Sequence, residues 1–256
     1  MTRQLTFGLA TLLLAGPLAA QDFHWTGTVA AGKRLEIRGV NGDITASLAT
    51  GNQIEVSARK TAHRSDPASV DIQVVPSAEG VTICAVYPTG RHARHNNTCE
   101  AGHSDQDTEN NDVVVDFTVK VPAGVLLTAT TVNGDVEATG LKSDADLTTV
   151  NGGIRASTSG FVEATTVNGS IEADMGRADW TGSAEFTTVN GSVTLTLPTT
   201  FSAEVRAETV NGDLESDFPL TVTGKFGPRN LHGTIGNGGR KLNLTTVNGS
   251  IRLRKA

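Results

Sequence analysis

Aromatic side chains are scarce in this chain: they make up 4% of its 256 residues, whereas glycine contributes 28 residues. Together with abundant threonine, valine and alanine, this composition favours thin and repetitive β structure. It does not indicate disorder, because apolar and polar residues alternate over most of the chain.

An excess of basic residues is also lacking. The chain carries 21 lysine and arginine residues against 27 aspartate and glutamate residues, for a formal net charge of −6. A protein that binds a phosphate backbone usually presents a basic surface. The sequence has no basic stripe interleaved with aromatic residues, so we expect no nucleic-acid partner.

Long hydrophobic runs are missing after the N-terminus, so we expect no transmembrane segment in the mature chain. The N-terminus has a short basic start at residues 1–4, an apolar run at residues 5–15 and a small-residue stretch at residues 16–20. This order is typical of a signal peptide at residues 1–20, with Gln21 as the first mature residue. A membrane anchor is the alternative, but the apolar run is too short to cross a bilayer. Because no cysteine follows the run, a lipoprotein is not indicated, and we expect a soluble protein exported to the periplasm, the cell surface or the extracellular space.

One short motif, Thr-Thr-Val-Asn-Gly-Ser, recurs along the chain. It is complete at residues 165–170, 187–192 and 245–250, with close variants at residues 38–43, 130–135, 148–153 and 208–213. The asparagines of these copies are Asn41, Asn133, Asn151, Asn168, Asn190, Asn211 and Asn248. We interpret His232 as a degenerate further copy, which brings the spacings after Asn133 to between 16 and 22 residues. Self-similarity at such a period predicts a repeat architecture.

Each copy of the motif has the pattern of a strand, a sharp corner and a second strand. Apolar and polar residues alternate before the motif, and an aliphatic residue stands just before each asparagine and again three residues after it. This alternation is the pattern of half-buried strands. We interpret the motif as corner and core residues, with glycine supplying a positive φ and asparagine tolerating the left-handed region.

Two architectures fit this pattern. Asn-Gly between alternating strands is a strong hairpin signal, so an antiparallel meander is one possibility. A parallel β-solenoid with one turn per copy is the other. A hairpin has no need of the same Thr-Thr before each Asn-Gly, whereas coils stacked about 4.8 Å apart would align Thr on Thr and Asn on Asn in hydrogen-bonded ladders. The sequence therefore predicts an all-β fold, a parallel β-solenoid (β-helix).

Serial Thr-x-Val-Asn-Gly copies behind a signal peptide resemble the putative adhesin family, a bacterial domain-of-unknown-function group of β-strand-repeat proteins. Residues 34–43 and 119–125 also resemble the opening coil of that family and its entry into the repeats. The resemblance covers about residues 35–253. It implies a β-solenoid envelope protein and no established catalytic residues.

Three segments follow from this interpretation. Residues 1–20 form the signal peptide, residues 21–124 an opening coil with a β-hairpin insertion and a polar loop, and residues 125–256 the solenoid. The insertion holds strand-like runs between residues 70 and 121. We expect them to extend or cap the N-terminal end, since a bare coil exposes unpaired backbone groups. Charge at residues 252–255 should protect the other end.

The polar loop at residues 90–112 holds the most unusual chemistry of the sequence. Cys84 and Cys99 are the two cysteines of the chain, and they flank part of this loop. In an oxidising compartment we expect them to form a disulfide.

A metal site is the alternative interpretation of the same loop. Imidazole and thiolate groups suit zinc or copper, and the available ligands are His92, His95, Cys99 and His103. The disulfide would consume Cys99, however. A calcium site made of Asp105, Asp107, Glu109 and Asp116 is weaker, because Asn110 stands where such a loop requires glycine. We therefore expect no metal ion and no cofactor.

Equivalent outward residues of stacked coils should form columns. Four residues after the asparagines, one column is Glu137, Arg155, Glu172, Thr194 and Glu215. Five residues before them, a second column is Asp146, Glu163, Glu185 and Arg206. Stacked carboxylates could raise one another's pKa or bind a cation, or act as the paired acids of a polysaccharide-cleaving enzyme. A solvated face is the simpler interpretation.

These observations favour a protein without catalytic activity. The sequence shows no distinguishable Ser-His-Asp set and no phosphate-binding glycine loop. We expect an exported, non-enzymatic β-solenoid with an adhesin-like or envelope-scaffold role, whose partner is an envelope protein or glycan surface. The alternatives are a polysaccharide-acting enzyme that uses Asp146, Glu163 and Glu185, and a metal-binding envelope sensor that uses the loop at residues 90–112.

Overall fold

A computed structural model describes residues 23–103, 106–177, 180, 182–222 and 229–256. The predicted signal peptide at residues 1–20 lies outside these residues. The described chain is almost entirely β, with 21 strands and one turn of 3-10 helix at Pro67–Ser69. It contains no helix long and apolar enough to cross a membrane.

The strands follow one another through short corners and loops. The N-terminal strands are β1 Phe23–Gly27, β2 Arg34–Arg38, β3 Ile44–Leu48, β4 Ile54–Thr61, β5 Asp71–Ser77, β6 Gly80–Val86 and β7 Val114–Val121. The central strands are β8 Leu126–Thr130, β9 Val136–Leu141, β10 Ala145–Thr148, β11 Ile154–Thr158, β12 Val162–Thr165, β13 Ile171–Met175, β14 Ser183–Thr187 and β15 Val193–Leu197. The C-terminal strands are β16 Ala203–Glu208, β17 Leu214–Ser216, β18 Leu220–Val222, β19 Asn230–Ile235, β20 Lys241–Thr245 and β21 Ile251–Lys255.

Two sheets enclose one hydrophobic core. The strand order is β1-β4-β7-β3-β9-β11-β13-β15-β21-β17 in the first sheet and β18-β19-β16-β20-β14-β12-β10-β8-β2-β6-β5 in the second. Neighbouring strands in the middle of both sheets run parallel. Each coil contributes one strand to each sheet, and the repeated motif forms the corner between them. The prediction of a parallel β-solenoid is confirmed, and the antiparallel meander is excluded.

Alternating burial explains why these residues form coils. In β13, Ile171 and Ala173 point into the core, whereas Glu172 between them is exposed. Side chains alternate across a strand, so one row packs inside while the other meets water. Parallel pairing in register places Ile171 opposite Ile154 on one side and Val193 on the other. The apolar rows therefore continue from coil to coil.

The last coil of the chain does not stack in sequence order. Strand β20 lies between β14 and β16, and β21 lies between β15 and β17. Its core residues are Leu242, Leu244, Ile251 and Leu253, whereas the residues in register with them on β16 and β17 are Val205, Ala207, Leu214 and Ser216. Each additional buried CH2 group contributes about 0.8 kcal/mol. The coil with the larger aliphatic side chains therefore takes the interior position, and the weaker coil lies outside it.

Two predictions for this end of the molecule are wrong. His232 does not occupy a corner, because it lies within β19 opposite Arg206 of the antiparallel β16. The charged residues 252–255 do not protect an edge, because β21 is an interior strand. The first error arose because residues 231–235 have the apolar spacing of the motif, although they form an antiparallel strand. The second comes from the assumption that the coils stack in chain order.

Antiparallel strands cover the N-terminal end. Strands β2 and β3 stack in parallel on β8 and β9, so the first corner continues the repeat despite the long insertion between them. The strands at this end reverse the chain direction in both sheets. In the second sheet β6 pairs antiparallel with β5, and in the first sheet β7 pairs antiparallel with β4, which β1 then flanks.

Candidate binding face

A ladder of asparagine side chains runs along one corner of the solenoid. Each Nδ2 group donates to the Oδ1 atom of the asparagine on the adjacent coil, at 2.7–2.8 Å. In spatial order the ladder consists of Asn41, Asn133, Asn151, Asn168, Asn190, Asn248 and Asn211. The structure thus places all seven asparagines of the motif in one row, with the last two in reverse sequence order.

A second ladder, beneath the first, uses buried threonine hydroxyls. For six of the seven asparagines, the threonine two positions earlier donates to the carbonyl oxygen of a corner glycine on the adjacent coil, at 2.8–3.0 Å. The pairs are Thr131–Gly42, Thr149–Gly134, Thr166–Gly152, Thr188–Gly169, Thr246–Gly191 and Thr209–Gly249. The expected Thr-on-Thr bonding is therefore wrong: each buried hydroxyl finds its partner on the backbone instead.

The corner glycines are required by close packing of neighbouring coils. The predicted reason, a positive φ, holds only for Gly42 among them. At Gly152, an added methyl group would overlap the carbonyl oxygen of Gly134, and at Gly169 it would overlap that of Gly152. Only glycine allows the two backbones to approach so closely.

The valine before the asparagine is exposed to solvent on four coils. Val132, Val150 and Val167 are 36–37% exposed and Val210 is 53% exposed. They are the exposed large hydrophobic side chains of the described chain. For these four valines the interpretation as core residues is wrong, because the chain turns outward here and the preceding threonine takes the inner position. Val189 and Val247 are partly buried, and Val40 packs against the core.

We call the surface formed by the valine column, the asparagine column and the outward threonines three positions before the asparagines the corner face. Its threonines are Thr130, Thr148, Thr165, Thr187 and Thr245. Its columns carry charge only at the two ends, where Arg38 and Glu208 replace threonine. An amide has two N–H groups and two acceptor lone pairs. Each inner asparagine therefore retains one donor and one acceptor, next to an apolar side chain.

The predicted carboxylate column lies on the outer face of the second sheet. Asp146 is in register with Glu163, and Glu185 follows on β14. Arg206 does not come next, because Asn243 stands between it and Glu185. Burial raises the pKa of the Glu163 carboxyl, and the charges of Asp146 and Glu185 raise it further. The three groups project side by side from one sheet face, so they do not form an acid pair across a cleft.

The other charged column lies on the outer face of the first sheet. Glu137, Arg155 and Glu172 are in register, and the Arg155 guanidinium lies 3.1 Å from the Glu172 carboxylate. Arg252 enters this column between Thr194 and Glu215. Such exposed pairs contribute about 0–1 kcal/mol each, so they assist register more than stability.

A disulfide between Cys84 and Cys99 fastens the polar loop to β6, with the two Cα atoms 5.8 Å apart. The Asn97 side chain holds the two arms of the loop together, since its Nδ2 group donates to the carbonyl oxygens of Tyr87 and Asp107 at 3.0 and 3.1 Å. The Tyr87 hydroxyl donates to the Val113 carbonyl at 2.9 Å. The loop is thus held at both ends and across its middle.

The histidines of this loop do not assemble a metal site. His92 and His95 are exposed, and Cys99 is consumed by the disulfide. No group of three or more possible metal ligands converges anywhere in the part of the chain that the structure describes. Asp105, one of the four calcium candidates, lies outside the described residues.

Glu36 is a buried carboxylate that the motif analysis missed. It is 4% exposed and accepts hydrogen bonds from the Thr82 hydroxyl at 2.7 Å, the Gly102 amide at 2.9 Å and the Arg38 guanidinium. Burial alone would raise its pKa, but these donors hold the pKa below its ordinary value. Glu36 therefore anchors the polar loop to β2. A carboxylate at a strand centre flanked by two arginines was the available signal.

Comparisons with known proteins agree with this architecture. Residues 33–254 match the family described as Toastrack DUF4097. No protein of curated function matches the chain. Among solved structures, the fold resembles a putative cell adhesion protein from Clostridium sporogenes, at 13% identity and a TM-score of 0.43, over 92% of this chain and 100% of that one.

Two further structures show weaker likeness. A putative adhesin from Bacteroides fragilis has 11% identity and a TM-score of 0.34, over 92% of this chain and 97% of its own. A putative lipid binding protein from Parabacteroides distasonis has 12% identity and a TM-score of 0.23, over 93% and 98%. These scores are too low to support an argument about ligand or mechanism. The family match spans most of the chain, and the protein therefore belongs to the Toastrack DUF4097 family.

Proposed function

We propose that this protein is an exported, non-enzymatic scaffold that binds a component of the cell envelope through its corner face. The observation that carries the proposal is an uncharged face on which the asparagine column runs through seven coils and the neighbouring valine is exposed on four of them. The predicted signal peptide and the disulfide favour an oxidising compartment outside the cytoplasm.

The corner face has the composition of a contact surface. Exposed apolar groups in a contiguous patch often mark an interaction site. Here exposed valines on three consecutive coils, Val132, Val150 and Val167, lie next to amide groups that can donate and accept. The face repeats the same groups from coil to coil, so it fits an extended partner better than a small molecule. An uncharged envelope glycan is the partner that such a mixture of apolar and amide groups suits best.

The carboxylate column offers less support for the enzyme alternative. Glycoside hydrolysis needs two carboxyl groups on opposite sides of the scissile bond, whereas Asp146, Glu163 and Glu185 follow one another along a single sheet face. We therefore assign them no catalytic role in this proposal.

Retention on envelope fractions tests the corner face directly. We expect the mature protein to sediment with native envelope material. The amount of the double variant Val150→Lys/Val167→Lys that sediments should be at least about tenfold lower than that of the wild type, because the variant places two charges in the middle of the contact.

A matched control adds the same charges elsewhere. Thr139→Lys/Thr194→Lys changes the outer surface of the first sheet and should bind like the wild type. An equal loss of retention in both double variants, or no loss of retention in either, would contradict binding through the corner face. Turnover of a glycan that Glu163→Gln abolishes would replace the proposal with the enzyme alternative.

A further inference from the structure

The C-terminal end of the first sheet has a bare edge. Among the described strands, β17 (Leu214–Ser216) pairs only with β21. The other three sheet ends are the antiparallel strands β1, β5 and β18. Among the described residues, β17 is thus the one sheet end at which a parallel coil strand lies uncovered.

The backbone of β17 presents unused hydrogen-bonding groups at this edge. The Asp213 carbonyl accepts from the Ile251 amide and the Asp217 amide donates to the Leu253 carbonyl, both at 2.9 Å. Backbone groups alternate in direction along a strand, so the N–H and C=O groups of Leu214 and Ser216 point away from β21. No described residue pairs with them. Such an edge is a template for a further strand.

An apolar cleft of about 260 Å³ lies beside the same edge. Its apolar lining consists of Ala207, Leu214, Phe218, Leu220, Leu231, Ile251 and Leu253. Leu214 and Leu220 are only half-buried, whereas Ile251 on the neighbouring coil is 1% exposed. The cleft is therefore the uncovered end of the core. A strand added to β17 would direct every second side chain into it.

The outer side of β17 is acidic and therefore favours a strand with basic side chains. Glu215 and the adjoining Asp213 and Asp217 are exposed carboxylates. On the β21 side, Arg254 lies 2.6 Å from Glu215 and 3.1 Å from Asp217. A basic residue placed opposite Glu215 from the bare side would repeat this arrangement.

We propose that the bare edge of β17 captures an extended peptide strand from a partner protein. The strand carries aliphatic residues toward the cleft and basic residues on its outer side, a pattern that β21 of this chain itself shows. Main-chain bonds to Leu214 and Ser216 supply affinity, and the cleft and Glu215 supply specificity, as in other strand-addition complexes. This site is independent of the corner face, so either proposal can fail alone.

A synthetic peptide with the sequence of residues 249–256 tests the proposal. The labelled peptide should bind the mature protein in an anisotropy titration. A peptide with N-methyl groups on its two arginines should bind at least about tenfold more weakly, because in the parallel register those amides face β17. A peptide methylated on isoleucine and leucine instead, whose amides face solvent, should retain binding.

Two protein variants complete the test. Ser216→Pro removes an outward N–H group and should abolish binding; retained binding would mean exchange with the resident β21 and would overturn strand addition. Glu215→Lys should weaken the basic peptide about threefold and favour a version with glutamate in place of arginine.

Two other outcomes also overturn the proposal. One is no binding of the unmodified peptide at millimolar concentration. The other is equal binding of the two methylated peptides, which together with displacement by dodecanoate would identify a lipid cleft.

Discussion

At the scale of single residues, the corners depend on contacts between neighbouring coils. Thr166 is 1% exposed, and its hydroxyl donates to the Gly152 carbonyl at 2.8 Å. The Gly152 backbone in turn lies against Gly134. Threonine, glycine and asparagine thus each bond or pack across the 4.8 Å step between coils. This is why the motif keeps the same residue types from copy to copy.

Replacement of a corner glycine should be far more harmful than replacement of a loop glycine. Gly152→Ala places a methyl group on the Gly134 carbonyl oxygen, and we expect a loss of at least about 3 kcal/mol in the free energy of unfolding. Gly51 has open space around it, so Gly51→Ala should change stability by less than about 0.5 kcal/mol. Urea denaturation of both variants measures the difference. Similar effects would show that the corners do not require close approach.

The carboxylate column should weaken the fold as the pH rises. The pKa of Glu163 is raised in the folded state, first by burial and then by Asp146 and Glu185. The folded protein therefore binds this proton more tightly than the unfolded chain, so stability falls as pH rises from the ordinary glutamate value through the folded value.

Glu163→Gln removes this titration and should stabilise the protein at pH 7. The gain should shrink toward pH 4, where the wild-type carboxyl is increasingly protonated. Thermal unfolding at both pH values measures it. A variant that is less stable than the wild type at pH 7 would show that the carboxylate instead makes a favourable contact there.

At the scale of elements, the position of a strand in the stack decides how far its core residues are buried and how much they contribute to stability. Ile251 on β21 has strands on both sides and is 1% exposed, whereas Leu214, in register with it on β17, lies at the end and is half-buried. The two side chains have the same number of carbon atoms. A comparison of the two positions therefore measures the effect of burial at constant side-chain size.

Alanine substitution at these two positions should give unequal losses. Ile251→Ala should cost about 2–5 kcal/mol, the range for a buried aliphatic residue. Leu214→Ala should cost about half as much, because less of its surface leaves water on folding. Equal losses in chemical denaturation would argue that the C-terminal coil is not interior in solution.

At the scale of the whole molecule, a disulfide and a cap close the N-terminal end. Cys84 and Cys99 are 15 residues apart. A cross-link over a loop of this length constrains the unfolded chain by about 3 kcal/mol in the entropy model. The loop lies outside the corner ladder, so the coils themselves do not depend on the bond.

The double variant Cys84→Ala/Cys99→Ala should therefore lose about 3 kcal/mol of unfolding free energy and keep its β structure. Far-UV circular dichroism checks the fold, and denaturation of the oxidised wild type provides the reference. Loss of the β signal in the variant would show that the loop is needed to form the solenoid.

Much of the architecture could be read from local pattern. The repeated Val-Asn-Gly corner and the period-two alternation in segments such as Ile171–Met175 predicted parallel coils, because identical residues at a fixed interval favour stacking on themselves. The same regularity misled the interpretation of His232, since residues 231–235 have the apolar spacing of a corner but form part of the antiparallel strand β19.

The sequence by itself determined the coil, its corner and the two cysteines that could pair, because these depend on residues close together in the chain or on its composition. Only the tertiary structure decided that Asn248 lies between Asn190 and Asn211, that four of the motif valines are exposed, and that β17 has β21 as its one partner among the described strands. Those outcomes depend on which coil buries the most apolar surface when all of them compete for interior positions, and that competition joins residues far apart in the chain.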